Sequence, residues 1–312
     1  MTRVGVVGAT GAVGTVTLGL LAERGFENVR AFASSRSAGK RVPYGDGELS
    51  VEEATAEKLS AGDLDLLFFS VGTDASRELV PHAVAGGTVC IDKSDAFRLA
   101  DGVPLVVAGV NDAALDHDEI VANPNCSAIQ LACVLKPLHE AAGLASVRLA
   151  TYQSMSGIGD AGIERLRAIA PAEGDLAMDW DLEGEEFSEE SKLRAETRKI
   201  LDLPDLPLQA QCVRVPVLVG HAQTIWVETV EPLSADDARE ALGSAPHVAL
   251  QDYATPKDAA GRDEVLVGRV RADTASGSGL ALWSVNDNLR KGAALNAVQI
   301  AGALLERRLV RA

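Results

Sequence analysis

Short apolar runs alternate along the first part of the chain with segments whose apolar positions recur at helical spacing. That alternation predicts strands and helices of a parallel sheet. Residues 3–7 (Arg-Val-Gly-Val-Val) read as a buried strand, followed by a glycine turn and a helix to about Arg24. Asn28–Ala33, Asp63–Ser70 and Thr88–Asp92 read as further strands, with a helix over Ala75–Ala85, and the valine-rich run Leu105–Val110 has strand character too. A long apolar-periodic helix then runs from Ser127 to about Ala142. Beyond it the order changes: strands at Ser146–Tyr152, Gln211–Val217, Thr224–Val230, Val265–Ala272 and Leu280–Val285, helices at Ala161–Ala170 and Glu189–Leu201, and an Ala/Leu-rich helix to Arg311. This pattern predicts an α/β chain of two domains.

Glycines mark the first turn. Gly8-Ala-Thr-Gly11-Ala-Val-Gly14 lies between a strand and a helix, where glycines let backbone approach a pyrophosphate at the helix N-terminus. The spacing is GxxGxxG rather than GxGxxG, and such glycines can also be purely structural. A Rossmann-type dinucleotide-binding domain follows over residues 1–123, with the last helix, in 288–312, returning to it. The second strand ends without the Asp or Glu that would hold an adenosine ribose, reading instead Ser34-Ser35-Arg36-Ser37-Ala38-Gly39-Lys40. Hydroxyls with Arg36 and Lys40 suit a 2′-phosphate, so NADP is favoured over NAD; an ordinary basic surface loop reads the same way. Ser70–Thr73, including Gly72, closes the third strand and belongs along the cofactor. Residues 124–287 make the second, α+β domain, with a mixed sheet.

Composition narrows the class. A net charge of −16 excludes nucleic acid and an anionic membrane surface as partners. No apolar run is long enough to span a bilayer, and the N-terminus enters a strand directly, leaving no room for a signal peptide, so a cytoplasmic protein is expected. The acidic residues are spread out except for a run from Asp179 to Glu190, read as a solvated face. The four cysteines show no metal-ligand spacing, and no metal is expected. Cys90 and Cys133 fall in apolar elements.

Cys126 is different. Asn123-Pro-Asn-Cys126-Ser breaks regular structure just before the long helix, so the thiol sits at the first helical turn. There it faces unpaired backbone N–H groups and the positive end of the helix dipole, both favouring thiolate. A buried structural cysteine fits the same position. Gln153-Ser-Met-Ser-Gly157-Ile-Gly159 forms a polar turn after a strand, suited to a substrate loop. Arg214 and His221 flank a proline and a glycine and can reach one pocket. Glu189 and Lys192, spaced i,i+3, share a helix face and by default make a surface ion pair, and Arg98 alone reads as a surface charge.

Taken together these motifs closely resemble the aspartate-β-semialdehyde dehydrogenase family. GATGAVG, ASSRSAGK, KSDAFR, NPNCS, TYQSMSG, EESK, CVRVPV with a following GH, and DNLRKGAALNAVQIA occur in the family's order from residue 8 to about 301. The resemblance implies a glyceraldehyde-3-phosphate dehydrogenase-like fold whose second domain is catalytic and dimerising, in a homodimer or homotetramer. It implies Cys126 as nucleophile, His221 as general acid/base and Gln153 as the residue orienting the substrate. Arg98, Asn125 and Lys192 would bind phosphate, Glu189 the substrate amino group and Arg214 its carboxylate. Gly8, Thr10, Gly11, Ala12, Val13, Ser35, Arg36, Ser37, Gly72, Gly157 and Asn288 would bind NADP. The implied reaction is NADPH-dependent reduction of aspartyl phosphate to the semialdehyde with release of phosphate. A cysteine thioester is a better hydride acceptor than the carboxylate it derives from, so a soft nucleophile suits that chemistry.

The chain departs from the family at Ala108-Gly109-Val110-Asn111, where bacterial members usually carry a Pro-Glu-Val-Asn-like stretch, and at Met155 and Ile158, where smaller side chains are usual. Two alternatives remain open: a reductase of a related acyl phosphate or acyl thioester, and a non-catalytic nucleotide-binding paralogue.

Overall fold

The computed structural model describes residues 1–116, 119–169 and 180–310. Ala170, Asp179 and Arg311, expected in two helices and in the acidic run, lie outside the described residues. The chain forms two compact units, Met1–Pro124 with Ala293–Ala312 and Asn125–Gly292. Residues 288–292, expected with the first domain, group with the second.

In chain order the first unit contains β1 (Val4–Val7), α1 (Ala12–Glu23), β2 (Val29–Ala33), β3 (Arg41–Tyr44), β4 (Gly47–Glu53), α2 (Ala56–Leu59), β5 (Leu66–Phe69), α3 (Thr73–Ala85), β6 (Val89–Asp92) and β7 (Ile120–Ala122). Among the described residues these strands form a seven-stranded sheet in the order β3-β4-β2-β1-β5-β6-β7. Every neighbouring pair is parallel except β3–β4. Val4 and Val6 join the core that includes Leu18 and Leu21 of α1. Val7 joins a separate core with Leu59 of α2 and with Val80 and Ala83 of α3. Both faces of β1 are therefore covered, which is why it reads as an unbroken apolar run.

Two features of this unit differ from the sequence expectation. The β3–β4 hairpin was not anticipated: most of it is exposed, with Val42 and Val51 its buried residues, and Pro43 is tolerated because β3 is an edge strand. Conversely, Leu105–Val110 is not a strand. Leu105 makes one isolated bridge to Ala122. Asn side chains then take the backbone away from the sheet: Val107 N–H donates to Asn111 Oδ1 at 2.8 Å and Ala108 N–H to Asn296 Oδ1 at 3.0 Å.

The second unit contains α4 (Cys126–Ala142), β8 (Leu144–Gln153), α5 (Asp160–Ile169), β9 (Leu182–Glu183), β10 (Glu186–Phe187), α6 (Ser188–Leu201), β11 (Leu208–Arg214), β12 (His221–Thr229), α7 (Ala235–Ser244), β13 (Val248–Leu250), α8 (Pro256–Ala259), β14 (Val265–Ala272) and β15 (Leu280–Asn286). Its six-stranded sheet runs β11-β8-β12-β15-β14-β13 and is mixed, with β11–β8 and β13–β14 parallel. A π-helical turn (Arg290–Ala294) leads into α9 (Leu295–Glu306), whose Val298, Ala301 and Leu304 complete the core behind β1.

Two elements position the site. Helix α4 is buried almost all round, from Ser127 to Leu135 without a break, because it packs against α6, α7 and the sheet. Each fully buried Leu or Val in it contributes about 2 kcal/mol, so its N-terminus is held by its whole length. In β8 the inward row Val147, Leu149, Thr151 and Gln153 changes from apolar to polar along one face, ending in the site.

Candidate active site

Asn125 caps α4, and the cap places Cys126 as the first helical residue. Asn125 Oδ1 accepts the N–H groups of Ser127 at 2.8 Å and Ala128 at 3.4 Å. This corrects the expectation that the thiol faces unpaired donors: those two are occupied, and the helix dipole is what remains. The cap is itself held twice. Asn125 N–H donates to Glu196 Oε2 at 2.6 Å, and Asn125 Nδ2 donates to Glu189 Oε1 at 3.0 Å. Glu196, 1% exposed, was not expected in the site.

His221 opens β12 and is fully buried, with Nε2 3.2 Å from Cys126 Sγ. Its Nδ1 accepts the Ser154 backbone N–H at 3.0 Å and lies 3.1 Å from Ser154 Oγ. Burial, reinforced by the nearby positive charge of Arg214, pushes the imidazole pKa down to about 3. The ring is therefore neutral at ordinary pH. Gly157 passes so close that a Cβ there would lie 2.8 Å from Arg214 Nη1 and 3.3 Å from His221 Cε1. Any other residue at 157 would push into both groups.

Glu189 is not on a solvated face. It is 7% exposed, and its Oε1 also accepts Gln153 Nε2 at 3.0 Å. Lys192, one turn on, is half-buried. Arg214, 4% exposed, donates from Nη1 to Ser154 O at 3.1 Å and more weakly to Gln153 Oε1 at 3.5 Å, with its guanidinium 4.6 Å from the centre of the Trp180 ring. The neighbouring Glu190 serves the fold, accepting N–H groups from Phe187 and Cys212. Cys126, His221, Gln153, Glu189, Arg214, Asn125 and Gly157 are thus one contiguous cluster. A thiol, a neutral imidazole, a carboxylate and a guanidinium together suit a substrate that bears an amino and a carboxylate group and passes an acyl group to sulfur.

The other cysteines do not compete. Burial pushes the Cys212 thiol up to about 12, and burial also raises Cys90 and Cys133. All three remain protonated and poorly nucleophilic.

Asn288, expected beside the nicotinamide, is 2% exposed and bonded within the second unit. Its Oδ1 accepts Gly220 N–H at 2.8 Å and the Ser154 hydroxyl at 3.0 Å, and its Nδ2 donates to Ser156 Oγ at 3.0 Å.

The first unit holds the remaining candidates. Gly8 has φ +85, and a Cβ on Gly14 would lie 2.0 Å from Gly8 O, so α1 abuts the turn as only glycine permits. Gly11 is the N-cap, without a side-chain cap, followed by half-buried Ala12 and Val13. Thr10 Oγ1 reaches Ser37 Oγ at 3.5 Å, and Lys40 Nζ reaches the same oxygen at 3.3 Å, while Ser35 and Arg36 are exposed beside them. Gly72 caps α3 in the same uncapped manner. Open helix donors beside a hydroxyl- and guanidinium-bearing loop fit a dinucleotide diphosphate and a further phosphate. Arg98 is half-buried rather than a plain surface charge, its guanidinium donating to Lys93 O at 2.7 Å and Asn123 O at 3.1 Å. Among the described residues, no cluster of three His, Cys, Asp or Glu side chains could hold a metal, and no helix is long and apolar enough to cross a membrane.

Comparison with known proteins covers nearly the whole chain. Two family profiles match: "Semialdehyde dehydrogenase, NAD binding domain" over residues 3–117 and "Semialdehyde dehydrogenase, dimerisation domain" over residues 135–291. The chain is 43% identical to aspartate-semialdehyde dehydrogenase of Corynebacterium glutamicum, over 98% of its own length and 100% of that protein. The crystal structure of aspartate semialdehyde dehydrogenase II from Vibrio cholerae, complexed with ASA, superposes with a TM-score of 0.93 at 38% identity, covering 98% of both chains. The Candida albicans enzyme, solved with NADP, gives 0.79 at 25% identity over 99% of both.

Proposed function

Because the chain belongs to the aspartate-semialdehyde dehydrogenase family, we propose that it reduces L-aspartyl-4-phosphate to L-aspartate-4-semialdehyde and phosphate, through a thioester on Cys126 and with NADPH as donor. The product feeds synthesis of lysine, methionine, threonine and diaminopimelate. The observation that carries the reading is the 3.2 Å contact between Cys126 Sγ and His221 Nε2, beside a buried carboxylate and a buried guanidinium.

Arg214 binds the substrate carboxylate and Glu189 the amino group, both on rigid elements, which fixes the β-carbonyl over the sulfur. Gln153, tied to Glu189 and Arg214, orients the acyl group. Cys126 attacks the carbonyl, the C–S bond forms, and the C–O bond to phosphate breaks. Arg98, Asn125 and Lys192 are assigned to the phosphate by the resemblance. A nicotinamide, when bound, supplies the hydride that reduces the thioester. The resulting adduct collapses as its C–S bond breaks and the electron pair returns to sulfur. His221 lies beside the sulfur and is assigned as general acid/base, taking the hydroxyl proton of the adduct as the aldehyde departs. Ser35, Arg36 and Ser37 are assigned to the 2′-phosphate, and the exposed Arg36 supports NADP over NAD. The second unit, by its family description, supports a homodimer or a homotetramer built from it.

Phosphorolytic turnover tests the assignment, with L-aspartate-4-semialdehyde, phosphate and NADP, and with NAD in parallel. Phosphate-dependent NADPH formation is expected, and Cys126→Ala should lose at least about 10,000-fold. Absence of turnover from protein that binds NADP would redirect the search to other acyl phosphates.

A further inference from the structure

One polar side chain beside Cys126 has no assigned task. Asn286 ends β15 directly opposite His221, the first residue of β12, and Gln223 lies opposite Ser284. Opposite residues of an antiparallel pair share a face, as do residues two apart along a strand. These four side chains therefore form one patch, and three of them meet the start of α4. His221 Nε2 lies 3.2 Å from Cys126 Sγ, Gln223 Nε2 donates to Ser127 O at 2.9 Å, and Ser284 Oγ accepts Gln130 Nε2 at 2.8 Å. Asn286 is the exception. It is 0% exposed, yet among the described residues neither its Nδ2 nor its Oδ1 has a hydrogen-bond partner. Gln130 and Gln223 each leave an oxygen unpaired, but each keeps its nitrogen bonded. A buried amide without partners costs stability, so its presence beside the cysteine calls for a function.

Its surroundings point to one. A Cβ on Gly292 would lie 3.1 Å from Cys126 Cβ and 3.2 Å from Asn286 Nδ2. The amide nitrogen and the cysteine therefore meet across a gap that one methyl group would fill, and Gly292 keeps it open. Two first-turn donors of α4, the N–H groups of Ser127 and Ala128, are already taken by Asn125. Among the described residues, the Asn286 amide has no bond to give up first. We propose that Asn286 is a further residue of the reaction, its Nδ2 turning to donate to the Cys126 sulfur when that atom carries negative charge, as the attacking thiolate and again when the C–S bond of the adduct breaks. The inference rests on the assignment of Cys126 as nucleophile and leaves His221 as the acid/base. A hydrogen bond to a buried anion is stronger than one between neutral groups, which offsets the cost of an amide left unpaired in between. Several charged or titratable groups surround the cysteine. His221 faces it from β12, and Cys212 of β11 feels its charge. Glu189 and Glu196 of α6 reach it through Asn125, Arg214 of β11 acts on His221, and Lys291, next to Gly292, acts on Cys133 of α4. None of them is bonded to the Asn286 side chain, so a change at 286 leaves them in place.

The test is the pH profile of Cys126 alkylation by iodoacetamide, read on the full-length apoenzyme with Cys126→Ala as the background. Asn286→Leu matches the side chain in size and cannot donate. It should move the midpoint of the profile up by about one pH unit and slow alkylation below the midpoint about tenfold. The same variant should raise the melting temperature, because it removes a buried amide that lacks partners. Asn286→Ala should move the midpoint in the same direction, and decides the question if Asn286→Leu does not fold. A midpoint unchanged in every folded variant would overturn the proposal, and a lower melting temperature with that unchanged midpoint would make Asn286 a structural residue. Since the profile is read without substrate or cofactor, a failed turnover assay would count against the substrate assignment alone.

Discussion

Two helices begin at the functional residues, and they begin in opposite ways. Helix α1 starts at Gly11, which offers no side chain to its own first-turn donors. Helix α4 starts at Asn125, whose amide oxygen takes the donors of Ser127 and Ala128 and whose backbone N–H is held by Glu196. The same unsatisfied groups exist at every helix start. Left open, they are an anion site; closed by a fixed side chain, they become a mount for the next residue. The α1 end, which has no side-chain cap among the described residues, suits the diphosphate proposed for it. The α4 end holds Cys126 in place for the opposite reason.

Exchanging the two designs gives the largest expected effect. Gly11 has φ −84, and the nearest atom to a Cβ there is 3.5 Å away, so Gly11→Asp fits without strain. It should supply the missing cap and raise unfolding free energy by a few tenths of a kcal/mol. Its charge should also weaken NADP binding by about 100-fold or more, as measured by calorimetry. A loss of both stability and affinity would mean that the α1 end is not an anion site held open. Next comes the reverse change. Asn125→Ala should cost about 1 kcal/mol in denaturant unfolding and lower kcat by about 100-fold, because the thiol loses its mount while remaining present. Unaltered kcat would show that the cap serves stability alone.

Smaller effects sharpen the contrast. Arg36→Ala should raise KM for NADP by about tenfold and leave KM for NAD unchanged, since only the former presents a 2′-phosphate. Equal changes for both would return Arg36 to the class of surface charges. The smallest effect is on acid stability. His221 is neutral when folded down to about pH 3, but its unfolded form takes a proton near its ordinary value of 6.5. Between those values the unfolded chain binds more protons, so the stability owed to this group is present above 6.5 and lost as pH falls towards 3. His221→Gln should therefore lose stability less steeply than the unaltered protein on acidification from about pH 7 to pH 4.

Most of the parallel sheet was legible because buried strands such as Leu66–Phe69 are continuous apolar runs between glycine turns. The hairpin at 41–53 was not, since its few buried positions do not stand out from a polar surface. Leu105–Val110 misled for the converse reason: Val106 and Val107 are buried as a strand's would be, but the N–H groups of Val107 and Ala108 go to Asn111 and Asn296, and composition does not report partners. In the site, Cys126 announced itself by its position after Asn-Pro-Asn. Glu189 did not, because i,i+3 spacing to Lys192 describes a helix face without saying whether that face is solvated. Ser154 lay within the polar turn after β8 and Glu196 within α6, but neither motif says which distant residue the side chain meets, and Trp180 gave no local signal. Each acts through contacts to residues far along the chain, and such contacts exist only after folding.

Trp180 has a use beyond holding Arg214. Its indole lies under the guanidinium expected to meet the substrate carboxylate, while the other two tryptophans, Trp226 and Trp283, belong to strands of the sheet. A cation stacked on an indole perturbs its excited state, and pairing that cation with an anion changes the perturbation. With Arg214 on the substrate carboxylate, as proposed, this stack would report carboxylate occupancy by fluorescence, before any covalent step and with the cysteine unlabelled.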